Sequence, residues 1–211
     1  MKKQNKGSEK MEKVLFATEN ESKKKRFERE LQKRNIEIIT LNDIEKKLEI
    51  EENGKNAIDN ALIKARAYAK ISPYPVFAMD DNLYIEDIPK EKQPGMFVRR
   101  VNGKRLNDEE MIKYYTDLAH TYGKNGKLTC KWVYGIAVIN HNTESTYSWS
   151  KEDFYIVDKP FNKVNPGYPL NTISINKKLN KYFTEITEEE KKMIKENEND
   201  VIDFLCKNLS K

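Results

Sequence analysis

Three short apolar runs, separated by two helix-like segments, constrain this chain most. VLFAT (14–18) and VFAM (76–79) are compact apolar runs, and Ile36, Ile38 and Leu41 mark another between them. Runs of that length with polar flanks read as buried strands. After the first comes a segment with Phe27 and Leu31 spaced i, i+4, which predicts a helix over 22–34. After the second comes NAIDNALIKARAYAKI, with Ala57, Ala61, Leu62, Ala65 and Ala69 at helical spacing. A face of such small side chains suits a helix packed closely on a sheet. The order strand–helix–strand–helix–strand indicates an α/β protein.

The remainder adds an antiparallel part. Met111, Ile112, Tyr115, Leu118 and Ala119 predict a helix over 107–122, with Asn107 or Asp108 as N-cap. Residues 127–157 read as two long strands joined near HNTE, a β-hairpin. Segments 89–103 and 158–172, with their prolines and glycines, read as loops. Thr187 and Glu190 form a T-x-x-E capping box that opens one final helix carrying Met193, Ile194, Val201, Ile202 and Leu205. The expected fold is a mixed twisted sheet with flanking helices and an inserted long hairpin.

Ligands of open α/β sheets bind beyond the carboxyl ends of strands, and two such ends carry chemically loaded residues. ATENESK, after the first strand, sets Thr18, Asn20 and Lys23 at a loop and the first turn of a helix. The plain reading is an N-cap on a surface helix. The alternative is a phosphate cradle, in which the helix start supplies N–H groups and partial positive charge and Lys23 an ammonium. The Walker pattern GxxxxGK[ST] is absent. VFAM runs straight into Asp80 and Asp81, and LYIEDI after them offers a continuation of the strand. Neighbouring side chains on a strand point to opposite faces, so one of the two is expected to serve a cation and the other to brace the loop. Magnesium favours one or two carboxylates completed by phosphate oxygens and water, and Glu51 or Glu52 offers the second carboxylate. The competing reading is ordinary surface acids in a chain with 34 of them.

Charge and cysteine usage exclude several function classes. Of the formal net charge of +5, residues 1–13 hold +3, from five lysines against two glutamates. Most of the basic balance therefore sits in the first thirteen residues, and residues 1–12 read as a flexible, solvated tail ahead of a single domain over 13–211. A nucleic-acid-binding module is disfavoured on that ground. The tail lacks the apolar core of a signal peptide, and the best apolar run, YGIAVI, is far too short for a membrane span. Cys130 and Cys206 show no zinc or redox spacing, which favours a cytoplasmic location. His120 and His141 are isolated, so a Ser-His-Asp or Cys-His centre is disfavoured.

Three stretches together resemble the inosine triphosphate pyrophosphatase family. ATENESK resembles its T-x-N-x-x-K. EENGKNAIDNALIKA resembles its E-x-G-…-E-N-A-x-x-K-A, with Glu52, Gly54, Asn60, Ala61, Lys64 and Ala65 in place. FAMDDNLYIEDI…PGMFVRR resembles its A-D-D-S-G-L…P-G-…-A-R, with Asp80, Asp81, Pro94, Gly95 and Arg100 in place. Farther on, PGYP and FTEITEEEK are fainter matches to F-G-Y-D-P and A-E-L-T-x-E-E-K.

The resemblance implies two lobes around a central cleft and magnesium-dependent hydrolysis of aberrant purine nucleoside triphosphates to monophosphate and pyrophosphate. It implies that Thr18, Asn20 and Lys23 bind the triphosphate and that Glu52 and Asp81 hold Mg2+. Asp81 is also implied to be the catalytic carboxylate that orients or deprotonates the attacking water. Asn82 takes the place of a substrate-contacting Ser, Lys64 and Arg100 fall on substrate-side motif positions, and Lys191 matches a lysine that reaches the nucleotide. Tyr168 is a candidate for stacking on the base. Many members dimerise, so a homodimer is expected.

The departures fall on the base-reading half. The family's S-H-R, which reads the six-position oxygen, corresponds to Lys195, Glu196 and Asn197 here. F-G-Y-D has become Pro166, Gly167, Tyr168 and Pro169, and the Gly after D-D-S is missing. Two readings stay open: a triphosphate pyrophosphatase with altered base choice, and a nucleotide-binding protein of the same fold that has lost catalysis. Retention of Lys23, Glu52 and Asp81 favours the first.

Overall fold

The computed structural model describes residues 11–151, 154–194 and 198–210. In chain order the elements are β1 (Glu12–Phe16), α1 (Glu21–Gln32), β2 (Ile36–Thr40), α2 (Ala57–Ala69) and β3 (Val76–Ile85). Then come β4 (Arg100–Val101), β5 (Lys104–Arg105), α3 (Asp108–Tyr122), β6 (Lys127–Asn140), β7 (Thr143–Ser150) and β8 (Phe154–Val157). Last are β9 (Ser174–Asn176), β10 (Lys181–Tyr182), α4 (Glu188–Met193) and α5 (Asn199–Leu209). The architecture is α/β, with a mixed sheet and flanking helices, as expected.

The chain forms two compact units: one comprises the chain up to Asp80, Gly135–Ser148 and the chain from Glu198; the other comprises Asp81–Tyr134 and Trp149–Asn197. Strands β3 and β6 each contribute residues to both. In the first unit β1 lies between β2 and β3 and is parallel to each, with Leu15 opposite Val76 and Phe16 opposite Phe77. The Phe16 and Phe77 rings stack at 4.2 Å, and Phe27 of α1 meets them edge-on at 6.0 and 6.4 Å. This cluster is what the i, i+4 pair of α1 was spaced to reach, since Phe27 and Leu31 are its buried residues. Helix α5 packs on α1, with ion pairs Arg26–Glu198 and Arg34–Asp203.

Helix α2 explains its own alanines. Ala57, Ala61 and Ala65 are buried. A Cβ on Gly135 of β6 would lie 2.4–2.8 Å from backbone atoms of Ala57 and Ile58. Helix and strand therefore approach at a distance only small residues permit.

The second unit builds its core from Leu83, Ile85, Tyr115, Leu118, Leu128, Cys130, Phe154 and Ile156. Strand β6 is antiparallel to β8, and β8 to β9. Helix α3 is opened by Asn107, whose side chain caps Glu110 while Glu110 returns to the Asn107 N–H.

Three expectations change. The first concerns Asp80 and Asp81, where the continuation through LYI holds: the two lie inside a ten-residue strand, not at its end. The pairing with β1 reaches only Phe77, so they still lie beyond the end of β1. The apolar LYI that follows is drawn into the core as Leu83 and Ile85, and this keeps the strand going. The second concerns segment 127–157, which contains three strands: β6 and β7 turn at His141, whose φ is +52°, and β8 is a separate partner of β6. The third concerns the capping box at Thr187, which opens only a six-residue helix, with α5 a second one. Met193 is 78% exposed while Val201, Ile202 and Leu205 are buried, so the apolar residues do not form one stripe. Among the described residues no helix is long and apolar enough to cross a membrane.

Candidate active site

In the first unit, the loop after β1, the loop before α2, and Lys64 and Tyr68 of α2 face a pocket of about 360 Å³. Thr18 and Asn20 of the first motif line it, and so do Glu52 and Lys64 of the second. Two stretches more than thirty residues apart thus converge on one cavity. The apolar wall is Ala17, Leu41, Leu48, Ile50 and Tyr68, and Glu19 and Lys47 complete the lining.

Asn20 serves as the N-cap of α1. Its side-chain oxygen accepts from the Ser22 and Lys23 N–H groups at 2.9 and 3.3 Å, and its own N–H donates to Thr18 Oγ1 at 3.1 Å. Two helix N–H groups are thereby satisfied internally. What remains for an anion is the donor end of the Asn20 amide, the Thr18 hydroxyl proton and the helix dipole. Lys23 sits in the first turn of α1 but is not among the residues lining the pocket.

The charged centre is Lys64. Its ammonium lies 3.0 Å from Glu52 and 3.8 Å from Asp80. The Lys64 and Asp80 side chains are each 15% exposed and Glu52 is 40% exposed. Asp80 also accepts from Asn60 Nδ2 at 2.8 Å, and Asn60 Oδ1 accepts the Gly54 N–H at 2.8 Å. Asp80 thus ties β3 to α2, and Asn60 ties the Glu52 loop to the same helix. The motif glycine has a steric reason: a Cβ on Gly54 would lie 2.6 Å from Asn60 Oδ1 and from Asp59 Cβ.

A sequence profile of the Ham1 family matches residues 14–200. The chain belongs to that family. The match runs through the C-terminal half, where the motifs were faint. Among curated relatives, the dITP/XTP pyrophosphatase of Halalkalibacterium halodurans is 30% identical over 182 residues, covering 86% of this chain and 91% of that protein. The dITP/XTP pyrophosphatases of Wigglesworthia glossinidia brevipalpis and Bacillus subtilis are each 29% identical, covering 86% and 87% of this chain and 89% and 90% of theirs. A HAM1 protein structure from Coxiella burnetii superposes with a TM-score of 0.74 at 23% identity, covering 93% of this chain and 98% of that one. The Staphylococcus aureus Ham1 protein gives 0.72 at 20% identity, covering 93% and 97%. These two likenesses concern the fold.

The other expected site residues of this Ham1 chain lie in the second unit. Asp81 and Asn82 follow Asp80 on β3, and the Asn82 side-chain oxygen is buried with no hydrogen-bond partner among the described residues. Arg100 is exposed on β4, opposite Arg105. Its neighbour Arg99 makes the structural contact, an ion pair with Asp108 at 2.7 Å. Asp108 also takes the Gly167 N–H at 2.8 Å, so one carboxylate ties the PGMFVRR and PGYP loops together. Tyr168, beside Gly167, is 54% exposed. Lys191 is exposed on α4 and pairs with Glu188 at 2.6 Å. Glu196 and Asn197 lie outside the described residues.

Sequence reasoning missed Glu19, Lys47 and the Arg99–Asp108–Gly167 tie. IEKKLEI has no periodicity that marks a binding loop, and Asp108 reads simply as a helix start.

Proposed function

We propose that this protein hydrolyses a nucleoside triphosphate to monophosphate and pyrophosphate, with Mg2+, in clearing the nucleotide pool of aberrant purines. One observation carries the reading: Thr18 and Asn20 line the same pocket as Glu52 and Lys64. A polyphosphate needs neutral donors and fixed cations side by side, and the pocket supplies both. The activity named for these relatives, dITP/XTP pyrophosphatase, agrees.

The donor set suits magnesium. The carboxylates present are hard oxygen donors available in ones and twos, the number magnesium uses when substrate oxygens and water complete its shell. We assign Glu52 and Asp81 to it on the motif. Bound there, the ion neutralises charge on the phosphates. Lys64 holds Glu52 in place and offers its ammonium to a phosphate oxygen, while Thr18 and Asn20 donate to others. Asp81 is proposed as the carboxylate that takes the proton of the attacking water. Lys23, Asn82, Arg100, Tyr168 and Lys191 are proposed on the substrate side, and the working form is proposed to be a homodimer in the cytoplasm. Because Glu196 and Asn197 replace the family's His and Arg, we propose a base preference relaxed from inosine and xanthosine.

The deciding experiment incubates the purified protein with magnesium and each common and aberrant nucleoside triphosphate, measuring pyrophosphate and orthophosphate separately. Pyrophosphate with monophosphate is expected. Binding without turnover of any triphosphate would favour a nucleotide-binding protein that has lost catalysis.

A further inference from the structure

Glu19 is the middle residue of Thr18-Glu19-Asn20, so a carboxylate lines the pocket between the two proposed phosphate donors. A lone carboxylate there would repel a polyphosphate. Lys47 removes the conflict, with its ammonium 2.5 Å from Glu19 Oε1. Lys47 lines the pocket too, from the loop between β2 and α2.

That loop is fastened on several sides. The Leu41 N–H donates to the Thr18 carbonyl at 3.1 Å, and Asn42 Nδ2 donates to the Glu19 carbonyl at 3.2 Å. The Leu48 N–H donates to the Tyr68 hydroxyl at 3.1 Å. Ile44, Leu48 and Ile50 pack on the apolar core of the unit. The backbone on both sides of Lys47 is thus held against the pocket, leaving its side chain as the movable part. Both members of the pair are about half exposed, 52% for Lys47 and 58% for Glu19. An ion pair so exposed is weakly held, and a phosphate with two negative charges competes well for an ammonium.

We propose that Lys47 is a phosphate-gripping residue of this pocket, with Glu19 as its resting partner. When a polyphosphate enters, the ammonium passes from the Glu19 carboxylate to the end of the phosphate chain, and water solvates the carboxylate. A short anion held by Lys64, Thr18 and Asn20 gains little from Lys47, whereas a longer chain gains a further cation. The pair thereby selects for phosphate-chain length. This inference rests on the reading of the pocket as a polyphosphate site.

The test is isothermal titration of the full chain with inorganic pyrophosphate and, separately, orthophosphate. The proteins are wild type and the variants Lys47→Ala, Lys47→Arg, Glu19→Gln and Lys64→Ala. Lys47→Ala is expected to weaken pyrophosphate binding about tenfold, in line with one lost charge-assisted contact. It should change orthophosphate binding by less than about twofold, and Lys47→Arg should restore most of the loss. Glu19→Gln should tighten pyrophosphate binding, because it frees the ammonium and removes a negative charge. Unchanged affinity in Lys47→Ala, beside a loss in Lys64→Ala, overturns the role of Lys47 and leaves the pocket assignment standing. Equal weakening by Lys47→Ala and Glu19→Gln also overturns it, because it marks the pair as a loop brace. Wild type that binds no pyrophosphate overturns the pocket assignment itself and this inference with it.

Discussion

Asn60 donates from its side-chain nitrogen to Asp80 at 2.8 Å, while its oxygen receives the Gly54 N–H. Asn60 is 2% exposed, and both bonds are partly buried. One amide links the third strand, the alanine-rich helix and the loop that carries Glu52. Asp80 is bonded into this bridge, and Asp81 follows it on a strand whose successive side chains alternate in direction.

With Asp81 as the proposed proton acceptor, Asp81→Asn is expected to lower turnover by at least about a hundredfold, the scale of a lost proton acceptor, with the fold retained. Asp80→Asn and Asn60→Ala should do the reverse. They should cost roughly 1–3 kcal/mol of stability, as a broken buried hydrogen bond does, with a smaller loss of turnover per folded molecule. Steady-state kinetics beside chemical denaturation separates the two cases. Near-normal turnover in Asp81→Asn removes Asp81 from the chemistry.

Lys64 lines the pocket and Lys23 does not. Lys64→Ala should therefore weaken binding of a non-hydrolysable nucleoside triphosphate more than Lys23→Ala, by about tenfold or more for one charge-assisted contact. Titration calorimetry measures both. The opposite order would place the phosphates nearer the α1 turn.

Gly135→Ala is expected to destabilise the protein by about 1–3 kcal/mol, the usual cost of overpacking. The added Cβ would meet backbone of Ala57 and Ile58, which cannot swing aside. Gly54→Ala should cost less stability and more activity, because it displaces the Glu52 loop. A denaturant series on both variants, with turnover measured alongside, is the check.

Acid should weaken the fold. Asp43 is held below the ordinary carboxylate range chiefly by the Thr40 N–H, then by the Thr40 hydroxyl. Asp108 is held down first by Arg99 and then by the Gly167 N–H. A carboxylate depressed in the folded state contributes stability above its unfolded value. That contribution is lost as pH falls through the folded one. The melting temperature is therefore expected to be level above about pH 5 and to fall progressively below about pH 4. Asp43→Asn should start lower near neutrality and fall less. An identical acid profile in that variant would show that the Asp43 bonds contribute nothing.

The replacement of the family's His and Arg by Glu196 and Asn197 predicts weakened selectivity. A six-position oxygen is an acceptor and wants donors, and an ionised Glu is itself an acceptor. Facing each other they would cost roughly 1–3 kcal/mol if buried, whereas an exocyclic amino group would suit the carboxylate. The kcat/KM for inosine triphosphate is expected to exceed that for adenosine triphosphate by well under a hundredfold, or about 2.7 kcal/mol. A larger ratio means that other residues read the base.

Local pattern was enough for most elements. The i, i+4 pair Phe27 and Leu31, the alanine stripe of α2 and the capping residues at Asn107 and Thr187 each depend on neighbours within a few positions. The structure has helices there. The family motifs were legible for the same reason, since T-x-N-x-x-K and E-x-G are short. Other features depended on partners distant in sequence. Whether Asp80 ends a strand or continues it was decided by a core that takes in Leu83 and Ile85. Whether Met193 joins Val201 on one helix face was decided by which of them that packing buries. Lys47 became a pocket residue because Tyr68, twenty positions after Leu48, fastens its loop. Asp108 became a tie between two loops because Gly167 lies beside it, 59 positions away. Helix and strand preference is a property of a short window, whereas burial and charge pairing depend on what folding brings alongside, and no window of sequence contains that.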